Sequence, residues 1–321
     1  MKEINTKGVF PATVLPMTAD YEPDYAAYSR YLDWLIAENA IGLAINMDTG
    51  EGPQLTPAER RRAAEAAVET AHGHVPTGAL GRASVVAGVM GATTQDAVAT
   101  ARMYREAGVD GLVVFPNAAF RNDPLDPRIP YDYHVAIAEE TDLPIILFQL
   151  APVFGGVNYT RETLLQLLEI PQVVAIKEAS FDVQYYAYTV DTVKMSGRPI
   201  TILCGNDRFI TECFLLGAQG ALLGFCAIGC GMVAEMLGKF LDGSYKEAVD
   251  MRSRVQGFAN FIYKDPVLDY RARCKVGLAH LGVLGRDQTY VRPPLLQIDE
   301  SESQEIAEAL TAFGMLEGIG G

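Results

Sequence analysis

The chain has 321 residues, of which 49% are apolar and 21% charged, a globular composition long enough to bury a large core. A formal net charge of −14 sets its surface against phosphate backbones and anionic bilayers, so neither nucleic acid nor membrane is an expected partner. The five cysteines form no CxxC pair and the four histidines show no zinc spacing. With no signal core and no run of ~18 apolar residues, a soluble, cytoplasmic protein with buried reduced thiols is expected.

Apolar strand-length runs and helical stretches alternate from the start. Extended runs are expected at residues 9–15, 41–47, 84–89, 111–115, 144–150, 173–177, 200–204 and 221–225. Helices are expected at 24–38, from Thr56 onward, at 94–107, ending near 141, and at 160–168, 183–195 and 207–216. Thr56-Pro57-Ala58-Glu59 carries an N-cap, a first-turn proline and the acid of a capping box. Residues 75–83 and 117–130 read as loops. Past residue 235 the pattern is helical only, with helices at 245–262, 267–281 and 301–316, an extended connector at 291–296 and a frayed tail at 318–321. Eight strand–helix units of roughly 25 to 30 residues imply an α/β fold, a closed (β/α)8 TIM barrel, carrying a C-terminal three-helix subdomain. The boundary is drawn between 1–235 and 236–321. No GxGxxG follows the first run, which disfavours a dinucleotide fold.

The most informative stretch is Val173-Val174-Ala175-Ile176-Lys177-Glu178-Ala179. Strand alternation puts Val173, Ala175 and Lys177 on one face and Val174, Ile176 and Glu178 on the other. In a barrel the first face points into the lumen, so Lys177 stands at the carboxyl end of its strand, where barrel enzymes keep their chemistry. Burial disfavours its ammonium form, and a neutral amine can form a Schiff base with a ketone. The alternative is a lysine snorkelling out of the barrel mouth on an apolar stem. Glu178 reads as a structural residue facing outward.

Several segments together resemble the dihydrodipicolinate synthase and N-acetylneuraminate lyase family of class I, Schiff-base aldolases and hydro-lyases. They are Gly8-Val9-Phe10-Pro11-Ala12-Thr13, Asp48-Thr49-Gly50-Glu51, Gly108-Val109-Asp110-Gly111, Ala175-Ile176-Lys177-Glu178, Gly205-Asn206-Asp207 and Arg292-Pro293-Pro294-Leu295. The resemblance implies that Lys177 binds a pyruvate-type 2-oxo acid. It implies that Thr49 and Gly50 hold the substrate carboxylate and that Gly205 lies against the bound substrate. It also implies a homo-oligomer, dimer or tetramer, with no metal or other cofactor.

The chain departs from the family at the hydroxyl relay. Phe148 stands where the motif has a tyrosine at the end of the fifth run, Ala118 where a second tyrosine falls, and Asp48 where the strand-two motif opens on a hydroxyl. A phenylalanine neither donates nor accepts a proton. Asp48 is therefore the expected proton carrier. Phe154 replaces the arginine that holds a second carboxylate in typical dihydrodipicolinate synthases, which argues against that particular reaction. Phe120, Phe148, Phe154 and Phe225 all fall near strand ends, and if two face the cavity the distal part of the substrate is apolar. The expectation is a lyase for aldol cleavage, condensation or dehydration of a 2-oxo acid. The alternative is a catalytically silent barrel that binds such an acid as a sensor or scaffold.

Overall fold

The computed structural model describes residues 2–73 and 82–316 of the chain. The loop expected at 75–83 lies for the most part outside the described residues, and so does the tail expected at 318–321. Helix α1 (Tyr25–Ala37) precedes β1 (Gly42–Ile45), α2 (Pro57–Gly73), β2 (Ser84–Val89), α3 (Thr94–Ala107), β3 (Gly111–Val114) and α4 (Arg128–Thr141). Then come β4 (Ile145–Leu150), α5 (Arg161–Glu169), β5 (Val173–Ala179), α6 (Val183–Met195), β6 (Thr201–Cys204), α7 (Ile210–Leu215) and β7 (Gly220–Ala221). The seven strands pair in parallel in sequence order. The capping box at Thr56 forms as expected, with Glu59 Oε2 accepting from the Thr56 N–H at 2.7 Å.

The first expected strand is only partly a strand. Residues 8–13 join β7 to β1: Phe10 N–H donates to Ala221 O at 2.8 Å and Thr13 N–H to Ala44 O at 3.0 Å, which closes the barrel. Its pairing is confined to isolated bridges at Val9 and Ala12. Pro11 between them has no N–H to give, and a proline interrupts a ladder at that point.

Continuous apolar runs suit strands buried on both faces. Phe10, Ala44, Val113, Ile146, Ala175 and Leu203 fill the lumen. Leu43, Val85, Leu112, Leu147 and Ile176 meet the helices outside. The alternation expected along β5 fails at its start. Ile145 pairs with Val173 but Ile146 pairs with Ala175, so a bulge puts Val173 outside and turns Val174 to the lumen side. From Ala175 onward the expected faces hold, and Lys177 points inward.

Helix α8 (Cys226–Leu241), with non-helical angles at Gly229, follows β7 and runs through residue 235. The helix expected at 245–262 is divided at Met251 into α9 (Tyr245–Asp250) and α10 (Arg252–Ile262). A 3-10 turn over Val267–Asp269 leads into α11 (Tyr270–His280), and α12 (Glu300–Ala312) starts at its N-cap Asp299. Among the described residues no helix is long and apolar enough to cross a membrane. The C-terminal helices are tied to the barrel mouth by a fully buried ion pair, Lys275 Nζ to Glu51 Oε1 at 2.6 Å. The Arg292 N–H adds a bond to Glu51 Oε2 at 2.8 Å.

Candidate active site

A cavity of about 500 Å³ opens at the carboxyl ends of the strands, and Lys177 lines it. Pairing of Lys177 with Phe148 on β4 and Leu203 on β6 fixes its place in the sheet. The side chain is nearly buried, at 8% exposure. Its Nζ stands 4.1 Å above the centre of the Phe148 ring. Among the described residues it has no hydrogen-bond or ion-pair partner. Burial lowers its pKa to about 8, against the opposing pull of Asp207 and then Asp48. The neighbouring Gly205 is required by close approach: a Cβ there would lie 3.0 Å from Lys177 Cγ and 2.7 Å from Glu178 O.

Asp207 follows β6 and faces the same cavity, buried at 4% exposure. Its Oδ1 accepts from the Phe225 N–H at 2.8 Å. Burial pushes its pKa up to about 6, although the Phe225 bond, the Lys177 charge and the Tyr263 hydroxyl all favour the carboxylate. The opposite wall comes from the C-terminal helices. Tyr263 and Tyr270 stack at 4.6 Å with an interplanar angle of 15°. The Tyr270 hydroxyl shares a bond with Thr49 Oγ1 at 3.2 Å. Arg271 donates from Nε to Asp48 O at 2.6 Å and lies 4.9 Å from the centre of the Tyr270 ring.

The residues singled out in the sequence meet here unevenly. Lys177, Asp48, Thr49, Gly205, Phe148 and Phe154 all line the cavity. Gly50 does not. Its N–H is turned onto Met47 O at 3.1 Å, and a Cβ on it would lie 2.7 Å from Thr13 O, so it shapes the turn from behind. Phe154 packs edge-on against Phe181 at 5.1 Å, and Phe181 also faces the cavity. Phe120 and Phe225 are core instead, against Tyr133 and Phe258 respectively. Glu178 is buried on the outer side of β5, bonded to Gln149 and Asn206.

Sequence reasoning passed over Asp207, Phe181, Tyr263, Tyr270 and Arg271. Asp207 stands in a quoted motif, and its carboxylate next to Gly205 was a usable signal. The two tyrosines and the arginine carry no local signal, because helical spacing alone does not say which face meets the barrel mouth.

A family model described as the Dihydrodipicolinate synthetase family matches residues 5–313. The chain is 27% identical to a 4-hydroxy-tetrahydrodipicolinate synthase of Gluconacetobacter diazotrophicus, over 97% of this chain and 98% of the relative. It is 31% identical to a protein of the same name from Salinibacter ruber, over 96% and 95% of the two chains. In fold it is similar to a prophage protein of the dihydrodipicolinic acid synthase family from E. coli, solved in complex with pyruvate. That match has a TM-score of 0.84 at 21% identity, over 97% of this chain and 99% of the other.

Proposed function

The chain belongs to the dihydrodipicolinate synthetase family, and on that footing we propose that it is a lyase whose Lys177 forms a Schiff base with a 2-oxo acid. One observation carries the reading: an amine nearly buried over Phe148, without a hydrogen-bond or ion-pair partner among the described residues and with its pKa lowered to about 8. At pH 7 roughly one tenth of such amines are neutral, about two hundred-fold or more above an ordinary lysine. The neutral Nζ attacks C2 of the keto acid, and the carbinolamine loses water to an iminium. That iminium draws electrons from C3, so the bond from C3 to C4 can break, or a substituent on C4 can leave. Pyruvate, seen with the E. coli relative, is the simplest acid to try.

Thr49 offers its hydroxyl to the substrate carboxylate, on the turn that Gly50 tightens. Gly205 leaves room beside Lys177 for the bound acid. Phe148, Phe154, Phe181 and Leu150 make the distal wall apolar. Among the described residues the guanidiniums at the cavity are Arg271, engaged by Asp48 O and Leu268 O, and Arg208, exposed on the rim. An apolar distal group therefore fits better than a second carboxylate, which is why the reaction is proposed to differ from dihydrodipicolinate synthesis. Proton movement falls to the carboxylates of the cavity, Asp48 and Asp207, since Phe148 has no hydroxyl. A cytoplasmic homo-oligomer, with a barrel over 1–235 and a helical subdomain over 236–321, belongs to the same proposal.

Phe148 in the place of a tyrosine favours one second reading, a silent barrel that binds a 2-oxo acid without turning it over. Borohydride reduction with pyruvate and a panel of larger 2-oxo acids separates the two. The lyase reading expects a reduced adduct on the peptide bearing Lys177. An unmodified peptide with every acid in the panel contradicts it.

A further inference from the structure

Building on the Schiff-base reading, we propose that Asp207 is the proton carrier of this site, with the Tyr263 hydroxyl as its positioning partner. Hydroxide does not leave a carbinolamine unprotonated, and the iminium must later give up a proton from C3. Some group at the cavity has to donate and then accept. The arginines stay charged throughout. The Thr49 and Tyr270 hydroxyls are bonded to each other, and burial pushes the Tyr270 phenol up to about 12, too weak an acid for either step. Asp48 is only half-buried, on a turn whose carbonyl is drawn to Arg271. Asp207 is buried in the cavity, and its charge acts on Lys177 more strongly than that of Asp48.

The surroundings of Asp207 are built around Tyr263. The Tyr263 hydroxyl favours the carboxylate form of Asp207, and its ring stacks on Tyr270 at 4.6 Å. Gly224 leaves the space for it, since a Cβ there would fall 2.0 Å from the Tyr263 hydroxyl oxygen. In the forward direction the neutral Asp207 carboxyl gives its proton to the carbinolamine hydroxyl. Water departs, and the nitrogen lone pair closes the iminium. The resulting carboxylate takes a proton from C3. The C–H electron pair becomes the enamine double bond, the iminium π pair returns to nitrogen, and Asp207 is again a carboxylic acid. No co-reactant is needed, and every proton is accounted for.

Exchange of the pyruvate methyl protons in D2O, followed by proton NMR, reads both steps without the physiological substrate. Asp207→Asn keeps an oxygen for the Phe225 N–H and loses the titrating group. The expected result is exchange slowed by ~10² or more, while the borohydride adduct on Lys177 still accumulates on long incubation. Asp207→Glu restores part of the rate. Tyr263→Phe removes a hydroxyl that favours the carboxylate, so the break in the exchange profile caused by Asp207 moves to higher pH, a shift that a packing role alone does not produce. Among the described residues the other titratable and charged groups facing the pair are Lys177 on β5, Asp48 after β1, Arg208 after β6, Cys226 on α8, and Tyr270, Arg271 and Cys274 on α11. Gly224→Ala, which displaces the phenol, is expected to shift the break in the same sense and serves if Asp207→Asn does not fold. Wild-type exchange in Asp207→Asn, or a larger loss in Asp48→Asn, overturns the proposal alone. The same holds for an unmoved break in both Tyr263→Phe and Gly224→Ala. A wild-type protein that neither exchanges nor traps any acid overturns the Schiff-base reading as well, and the two failures are told apart by the adduct.

Discussion

The two walls of the cavity are built on opposite principles. On the strand side Phe148 lies against an amine that has no hydrogen-bond partner among the described residues, and Leu150, Phe154 and Phe181 line the same cavity. On the helical side Tyr270 is partnered by Thr49, Arg271 by Asp48 O, and Lys275 by Glu51 behind them. Lack of partners keeps the amine's proton loosely held, because burial penalises the ammonium and little offsets it. Partnering gives the helical side a fixed shape, since buried polar groups with satisfied bonds resist rearrangement. Lys177 and the carboxyl of Asp207 thus both stand at strand ends, and the C-terminal helices close the cavity opposite them with a wall of fixed polar groups.

The comparison can be broken most severely at the strand wall. Lys177→Met preserves length and apolar packing, and the expected outcome is complete loss of the borohydride adduct in mass spectrometry. Residual adduct at wild-type yield on another lysine would move the nucleophile elsewhere. At the helical wall, Glu51→Gln leaves the Lys275 ammonium buried without its counter-charge. Loss of one partner of a buried pair costs about 3–5 kcal/mol, read as a lowered urea midpoint. Replacing both, as Glu51→Gln with Lys275→Met, is expected to recover most of that stability. A single-variant loss below about 1 kcal/mol would mean that the pair does not hold the wall.

The pH profile sharpens the account of the strand side because it reads the amine and the carboxyl at once. Lys177 must be neutral and Asp207 protonated, with pKa values near 8 and 6. Below about 6 the neutral amine falls tenfold per unit while Asp207 is already protonated, so exchange falls. Between the two values the gain in neutral amine and the loss of carboxyl cancel, and above about 8 the carboxyl alone is lost. A plateau between about 6 and about 8, with a fall on either side, is the expected profile. A rate that climbs steadily to pH 10 would return Lys177 to an ordinary amine. The smallest effect is expected at the cavity's outer edge, where Phe154→Ala removes a half-exposed ring. It should raise KM for acids with an apolar tail several-fold, by about 1 kcal/mol, and by more than for pyruvate. An equal rise for both would take Phe154 out of distal recognition.

The two walls also differ in how much of them could be read from the sequence. Lys177 stood out because a charge closes an apolar strand, which is a local pattern with a physical meaning. The alternating elements carried the barrel for the same reason. Pro11 and the bulge at Val174 are departures that strand periodicity does not register, since one missing donor or one extra residue leaves the composition unchanged. Helix α8 was passed over because Cys226-Ala227-Ile228-Gly229-Cys230-Gly231 is apolar all round and has no polar face to reveal its period. Tyr263, Tyr270 and Arg271 read as ordinary helix residues, and only the fold brings Tyr270 and Arg271 across to residues more than two hundred positions earlier in the chain.

The most direct test of the account is a crystal structure of the protein grown with pyruvate. Continuous density from Lys177 Nζ to C2 of the acid is expected, with the carboxylate against Thr49 and C3 turned toward Asp207. Pyruvate lying unattached in the cavity, or absent from it at saturating concentration, would contradict the claim that this buried amine condenses with a ketone.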